Sequence, residues 1–244
     1  MTRRQPSRLS ILKDPSRSNL AFARSAWKTQ PLLMDYLDPR SPLRTRRLIQ
    51  RRIYERTFSP HYARLRRGTR ILDVGCGVGR FLLPLASWGC RVVGADFELG
   101  HLTAARKHLR RTGIRNPLLT RCRAERLPFK DGSFDAALAI ETLSYTSSPS
   151  HALEEIQRVL RPKGLLFLSV ETRIGGAFSD AHLSLEQIEP VLREGICHIP
   201  SSFYARYYHE AEILRLLRQS GFRILKTTPA HFILDGILDP LVTN

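Results

Sequence analysis

The stretch that decides the fold is Arg70-Ile-Leu-Asp-Val-Gly-Cys-Gly-Val-Gly-Arg-Phe81. It begins with an apolar run, 71–74, that has no polar alternation, which is typical of a strand buried on both faces. Three glycines follow at every second position, Gly75, Gly77 and Gly79. Glycine is needed where a Cβ would keep a ligand from the backbone or where φ must be positive. The stretch therefore predicts a strand, a tight turn and a helix N-terminus that hold a ligand closely.

Strand-like and helix-like segments alternate from Arg70 onward, and this alternation predicts an α/β fold with a parallel sheet covered on both faces. The expected strands lie at 71–74, 91–95, 118–122, 134–140, 165–170, 222–226 and 231–234. The last two are joined by a short turn at Pro229, so the final strand should run antiparallel to the others. We therefore expect a doubly wound, mostly parallel, seven-stranded sheet. Helices are expected between the strands, with Pro84 inside the first of them as a kink or a late helix start.

Three regions are predicted along the chain. Residues 1–40 read as a basic arm, whose first thirty residues also suit an organelle transit peptide. Residues 41–69 form a helical cap, and residues 70–244 form the main domain. Within that domain the periodicity fails at 171–209, and so long an interruption is usually a lid or a substrate-binding insertion.

The net charge of +17 is concentrated near the N-terminus, where residues 1–70 hold 16 arginines and two lysines against four acidic residues. Such a region is either a solvated arginine-rich face or a surface that binds phosphate, in nucleic acid or in an anionic small substrate. The cysteines are widely spaced, which indicates no disulfide framework and no structural metal, and favours a reducing, cytoplasmic location. No apolar run approaches the roughly 18 residues of a membrane-spanning helix.

An acidic residue at the end of the second strand indicates the class of the ligand. Asp96 lies 21 residues after Gly75, the distance at which a carboxylate accepts hydrogen bonds from ribose hydroxyls. Nicotinamide dinucleotides prefer a third glycine at position 80, and this chain has Arg80 there. The spacing therefore predicts an adenosine-type ligand that is not a dinucleotide.

Four motifs in order resemble the class I S-adenosylmethionine-dependent methyltransferases. They are 72–80, 92–97, 124–135 and 159–164, which read LDVGCGVGR, VVGADF, AERLPFKDGSFD and VLRPKG. The resemblance covers roughly residues 70–235. It implies a Rossmann-like fold, S-adenosylmethionine as cofactor, and a small-molecule type of enzyme.

The resemblance also implies which residues hold the cofactor. The glycine turn would line its methionine part, Asp96 its ribose, Phe97 one face of the adenine and Ala124-Glu125 the adenine edge, while residues 140–145 would border the sulfonium and the nucleophile. The implied set is Asp73, Gly75, Cys76, Gly77, Gly79, Asp96, Phe97, Ala124, Glu125, Ile140 and Tyr145.

Methyl transfer from this cofactor is an in-line displacement that asks the protein to position a nucleophile and, where needed, to remove its proton. The candidate bases are Glu141 after strand four, Glu171 after strand five and, from the predicted insertion, His182, His198, Tyr204 and His209. The chain has no metal-ligand spacing.

Three functions stay open at this point. The first is methylation of an oxygen, nitrogen or carbon nucleophile of a small molecule. The second is methylation of RNA, with residues 1–70 as the contact surface, although few aromatic residues are interleaved with the arginines for stacking on bases. The third is a cofactor-binding module without turnover.

Overall fold

The computed structural model describes residues 15–62, 64–179, 185–198 and 204–228. At its centre is a parallel sheet of five strands in the order β3-β2-β1-β4-β5. The strands are β1 (Arg70–Val74), β2 (Arg91–Asp96), β3 (Leu118–Arg121), β4 (Phe134–Ile140) and β5 (Leu160–Ser169). The α/β prediction is confirmed, and the order of strands reverses between β1 and β4.

Strand β1 lies in the middle of the sheet because both of its faces are covered. Ile71 belongs to the apolar cluster on one face, with Phe81 and Phe167, and Leu72 belongs to the cluster on the other face, with Ile156. Both β1 side chains are fully buried. Successive side chains of a strand point to opposite faces, so an uninterrupted apolar run suits this central position.

Four helices connect and cover the strands: α4 (Leu82–Ser87), α5 (Leu99–Arg111), α6 (Pro149–Val159) and α9 (Glu210–Gln219). Helix α4 starts late, at Leu82, which places Pro84 in its first turn. A proline is tolerated there because the N–H it lacks would have no partner within the helix. Helix α6 begins after Ser148, whose Oγ accepts from the N–H of His151.

The N-terminal region differs from the predicted arm. Residues 15–40 contain helix α1 (Pro15–Thr29) and the short helix α2 (Pro31–Met34), and helix α3 (Arg44–Tyr62) follows. The side chain of Asn19 bonds the backbone of Tyr204 in both directions, donating to its carbonyl at 3.0 Å and accepting from its N–H at 2.7 Å. Asp35 lies 2.6 Å from His108 on α5. These buried contacts hold the segment against the main domain; residues 1–14 lie outside the described part.

The predicted insertion at 171–209 is more ordered than its sequence indicates. Its described residues form α7 (Arg173–Ser179), α8 (Leu185–Glu194) and an antiparallel pair, β6 (Ile196–His198) with β7 (Tyr204–Arg206). A small apolar cluster joins these elements through Ala177, Val191 and Ala205. The insertion is thus a subdomain beside the sheet, and its role as a lid stays a prediction.

The sixth predicted strand does not form. Residues 222–228 follow α9 without pairing to any strand in the described ranges. The apolar residues of 222–226 suit a strand, but a strand also needs a partner edge. Phe222 packs instead against the apolar clusters beneath α6 and α9. The seventh predicted strand, 231–234, lies outside the described residues. No helix in the described ranges is long and apolar enough to cross a membrane.

Candidate cofactor and acceptor site

The glycine turn lies at the carboxyl end of β1, beside the reversal in strand order, where ligands of open parallel sheets bind. All three glycines have positive φ: +70° at Gly75, +52° at Gly77 and +90° at Gly79. A Cβ at Gly75 would collide with the side chain of Thr142, and one at Gly77 would come within 3.1 Å of the Tyr36 hydroxyl. The turn therefore needs glycine for its conformation and for its close packing.

Asp73, at the end of β1, offers a buried hydrogen-bond acceptor beside this turn. It is 3% exposed, and no donor among the described residues reaches its Oδ2. Burial raises its pKa to about 8, although the charge of Arg80 works in the opposite direction. An unpaired buried oxygen is costly, and such atoms in native structures usually indicate a missing ligand or water. Asp73 is thus suited to a cationic donor, such as the ammonium of an amino acid.

The buried carboxyl of Asp73 makes the stability of the ligand-free protein depend on pH. A carboxyl whose folded pKa is raised stabilises the fold while it is protonated, and that contribution is lost as pH rises from about 4 towards 8. We expect wild type to lose stability relative to Asp73→Asn by up to about 1.4 kcal/mol per pH unit in this window. Urea unfolding of both proteins between pH 5 and 8 measures the difference; parallel curves would contradict it.

Asp96 ends β2 and faces the same turn. Its Oδ2 accepts from the N–H of Gly77 at 2.9 Å, and its Oδ1 accepts from the N–H of Glu98 at 2.9 Å and lies 3.3 Å from Nδ1 of His101. Burial alone would raise its pKa, but His101 and the two N–H groups outweigh burial and lower it. Asp96 is therefore a charged acceptor at the carboxyl edge, in the place that the sequence spacing predicts for a ribose-binding residue.

The other residues of the predicted cofactor set lie around these two carboxylates in different roles. Burial and the neighbouring carboxylates raise the pKa of the Cys76 thiol well above its ordinary value, so it serves as a small apolar residue. Phe97 is half-buried, and its carbonyl accepts from Arg121. Ala124 packs against the apolar clusters beneath α6 and α9, and Ile140 is buried beneath the edge.

Glu125 is committed to the protein itself. Its Oε1 accepts from the N–H of Ser147 at 2.7 Å and from that of Ser148 at 3.3 Å. Its Oε2 lies 3.8 Å from Arg123. These contacts fix the segment that leads into α6. They favour a structural role for Glu125, in addition to any contact with adenine.

Glu141 follows β4 and lies within a buried ionic network. Its backbone has φ +55°, and its carboxylate accepts from Arg80 at 3.2 Å and from the hydroxyl of Tyr54 at 2.9 Å. Arg47 lies 3.6 Å away, and Gln50 accepts from both arginines. Because Arg80 and Tyr54 donate to this carboxylate and Arg47 lies beside it, the geometry does not favour Glu141 as a base. It ties α3 to the edge of the sheet instead.

Glu171 and Tyr145 interact electrostatically at the carboxyl edge of the sheet. Tyr145 ends a short 3-10 turn, 143–145, and is 37% exposed. The negative charge of Glu171, followed by burial, raises the pKa of Tyr145 well above its ordinary value, and Tyr207, Glu141 and Arg47 also act on it. Tyr145 therefore stays protonated, close to a carboxylate that follows β5.

The remaining candidate bases are less informative. His182 lies outside the described residues, and the side chain of His198 is likewise outside the described part. Tyr204 is buried and bonds Asn19 through its backbone. His209 is exposed at the N-terminus of α9.

Several residues at this edge could not be found from the sequence. Tyr36 sits beneath the guanidinium groups of Arg47 and Arg80, at 5.7 and 5.9 Å from its ring centre. His101 contacts Asp96, and Trp27 of α1 lies edge-on to His101 at 5.8 Å. Trp27 and Arg47 come from α1 and α3, and Tyr36 comes from the turn between α2 and α3, so only the fold places these residues at the carboxyl edge.

Within the described ranges, a groove of about 1670 Å³ lies beside β5 and reaches Ser169 and Glu171 at the carboxyl end of that strand. It is lined by apolar side chains such as Phe58, Phe167 and Leu217, and the glycine turn does not contribute to it. The groove is therefore distinct from the cofactor position.

Comparison with known proteins agrees with the geometry. Residues 72–168 match the family model of the methyltransferase domain. A ubiquinone biosynthesis O-methyltransferase from Xanthomonas axonopodis pv. citri is 30% identical over 157 residues, which are 64% of this chain and 64% of that protein. The chain thus aligns with somewhat less than two thirds of this relative.

Solved structures share the fold. An S-adenosylmethionine-dependent methyltransferase from Methanosarcina mazei is 29% identical with a TM-score of 0.52, over 65% of this chain and 82% of that one. The [4+2]-cyclase SpnF is 26% identical with a TM-score of 0.52, over 70% and 59% of the two chains. Strand order, the glycine turn, the matched model and these structures together show that residues 72–168 form a methyltransferase domain, with the fold of the S-adenosylmethionine-dependent methyltransferases.

Proposed function

We propose that this protein transfers the methyl group of S-adenosylmethionine to a hydroxyl oxygen of a small molecule. The observation that carries the proposal is the buried Oδ2 of Asp73, which no described donor reaches, beside three glycines of positive φ, with the charged Asp96 on the next strand. Such a cradle suits a ligand with an ammonium group at one end and a ribose at the other. The choice of oxygen rests on the name of the curated relative, an O-methyltransferase.

The protein's contribution to this reaction is binding, orientation and proton removal. When bound, the cofactor supplies a methyl group that its sulfonium already activates for displacement. Asp73 would bind the ammonium, Asp96 would accept from ribose, and the glycine turn would let both approach the backbone. Tyr145, kept protonated, would donate a hydrogen bond that orients the acceptor oxygen.

We propose Glu171 as the residue that takes the proton from the acceptor hydroxyl. It follows β5 and acts electrostatically on Tyr145, so it lies on the acceptor side of the edge. Glu141 is the positioning residue, since its carboxylate already accepts from Arg80 and Tyr54. We also propose an anionic acceptor, because Arg47 and Arg80 place two positive charges beside that one carboxylate.

Methyl-labelled cofactor and three pools of acceptor test the function: hydroxylated small molecules, RNA and protein. The proposal expects label in the small-molecule pool, in a form that is stable as an ether. Label in RNA alone would support the alternative that residues 1–70 contact nucleic acid. Binding of cofactor with no label in any pool would support a module without turnover. This outcome has to be tested because a cyclase has the same fold.

A further inference from the structure

We infer that His101 gates the ribose-binding carboxylate, because its ring occupies on Asp96 an acceptor position that the cofactor needs. This inference rests on the proposed role of Asp96. The glycine turn and Asp96 do not by themselves imply this function for His101. His101 is thereby a positioning residue whose displacement accompanies cofactor binding.

The count of acceptor positions on Asp96 leads to this inference. An ionised carboxylate has about four lone-pair positions. Three are engaged, by the N–H of Gly77, the N–H of Glu98 and Nδ1 of His101. Donors from the described part of the chain thus leave one position, on Oδ2, whereas a ribose presents two neighbouring hydroxyls. One protein donor therefore has to leave before both hydroxyls bind.

His101 is the donor best able to leave. The N–H groups of Gly77 and Glu98 belong to the backbone, one in the glycine turn and the other just before α5, and both contacts are 2.9 Å long. The contact of His101 is the longest, at 3.3 Å, and it comes from a side chain that a χ rotation can move. Its side chain is 21% exposed, so the ring is open to solvent on part of its surface.

The surroundings of His101 explain why it stays on Asp96 without a ligand. Described groups that face it are the two carboxylates Asp96 and Glu98, from the connection between β2 and α5, and the indole of Trp27 on α1. Burial works against its charged form, but the two carboxylates outweigh burial and raise its pKa. The protonated ring donates to Asp96 from Nδ1 and also carries a positive charge. Deprotonation removes that charge, and the tautomer with its proton on Nε2 has no donor for Asp96, so the contact weakens as the ring becomes neutral.

Cofactor affinity should therefore increase as pH rises through the pKa of His101. The probe is 5′-methylthioadenosine, which keeps the ribose but has no ammonium group, so the titration of Asp73 contributes little. We expect wild type to bind it about threefold to tenfold more tightly at pH 8 than at pH 6. His101→Phe keeps a ring against Trp27 but has no donor; its affinity should be flat with pH and tighter than wild type at pH 6.

The control is His151→Phe, which changes an exposed histidine on α6 and should keep the wild-type profile. A wild-type pH profile in His101→Phe, or weaker binding than wild type at every pH, would overturn the inference. Asp96→Asn distinguishes a failure of the gate from a failure of the proposed function. Unchanged affinity in Asp96→Asn would contradict the ribose assignment. Lost affinity in Asp96→Asn, together with a wild-type pH profile in His101→Phe, would contradict only the gate.

A second measurement needs no variant. NMR titration of the His101 ring in the wild-type protein should give a pKa above the ordinary value of about 6.5 without ligand. Bound S-adenosylhomocysteine should lower that pKa, because the ring loses its contact with Asp96. An unchanged pKa on binding would contradict displacement.

Discussion

Glu171→Gln is expected to lower kcat about 10²- to 10⁴-fold, the usual contribution of a positioned general base. The amide keeps the size of the side chain but cannot accept the proton of the acceptor hydroxyl. Affinity for S-adenosylhomocysteine should stay within about twofold of wild type, since the role that we propose for Glu171 is towards the acceptor and not towards the cofactor. Steady-state kinetics with the acceptor found by label transfer, and calorimetry with S-adenosylhomocysteine, measure the two effects.

The matched control for this variant is Glu189→Gln on α8, where the carboxylate is 72% exposed. It should leave kcat unchanged. A loss of less than tenfold in Glu171→Gln, or an equal loss in Glu189→Gln, would contradict the assignment of the base. Glu171→Asp should retain part of the activity, because it keeps the carboxylate and changes only its reach.

Arg80→Met is expected to lower the free energy of unfolding by about 3–5 kcal/mol, the range for breaking a buried ion pair by removing one partner. The side chain of Arg80 is 6% exposed and lies 3.2 Å from Glu141. Its guanidinium also lies over the rings of Phe81 and Tyr54, at 5.0 and 6.0 Å. Methionine keeps much of this packing, so the loss reports mainly the charge left on Glu141. Urea unfolding measures it.

A double-mutant cycle with Glu141→Gln tests whether Arg80 and Glu141 stabilise the fold as a pair. If the two residues act as a pair, the double variant should be more stable than the sum of the single changes indicates, by about 0.5–3 kcal/mol. The control is Arg193→Met, whose ion pairs with Glu189 and Glu194 are solvated, and no measurable loss is expected there. Additive single effects would show that Arg80 and Glu141 are not coupled.

The centre of the fold could be predicted from the sequence because its signals are local. An apolar run followed by three alternate glycines forms a strand and a turn of positive φ in the structure. Asp96 likewise lies beside that turn, bonded to the N–H of Gly77, as the spacing between strand and acid indicates. Each of these features depends on residues within one or two neighbouring segments.

The rest of the site depends on contacts between distant parts of the chain. Gln50, Tyr54 and Glu141 meet only because α3 packs across the carboxyl edge of the sheet. A narrow apolar stripe on α3 predicts that this helix packs, but it does not show against what. For the same reason the sequence predicts that Asn19 and Trp27 are parts of an arm, although α1 places them beside β7 and His101.

The claim that the glycine turn and Asp96 hold the cofactor is tested most directly by titration calorimetry with S-adenosylhomocysteine at pH 8. Wild type and Asp131→Asn, which changes a carboxylate that is 79% exposed, should bind one molecule with equal affinity. Asp96→Asn should bind about 10- to 100-fold more weakly, as expected for a lost hydrogen bond to a charged group. No binding to wild type, or equal binding to Asp96→Asn, would contradict the account.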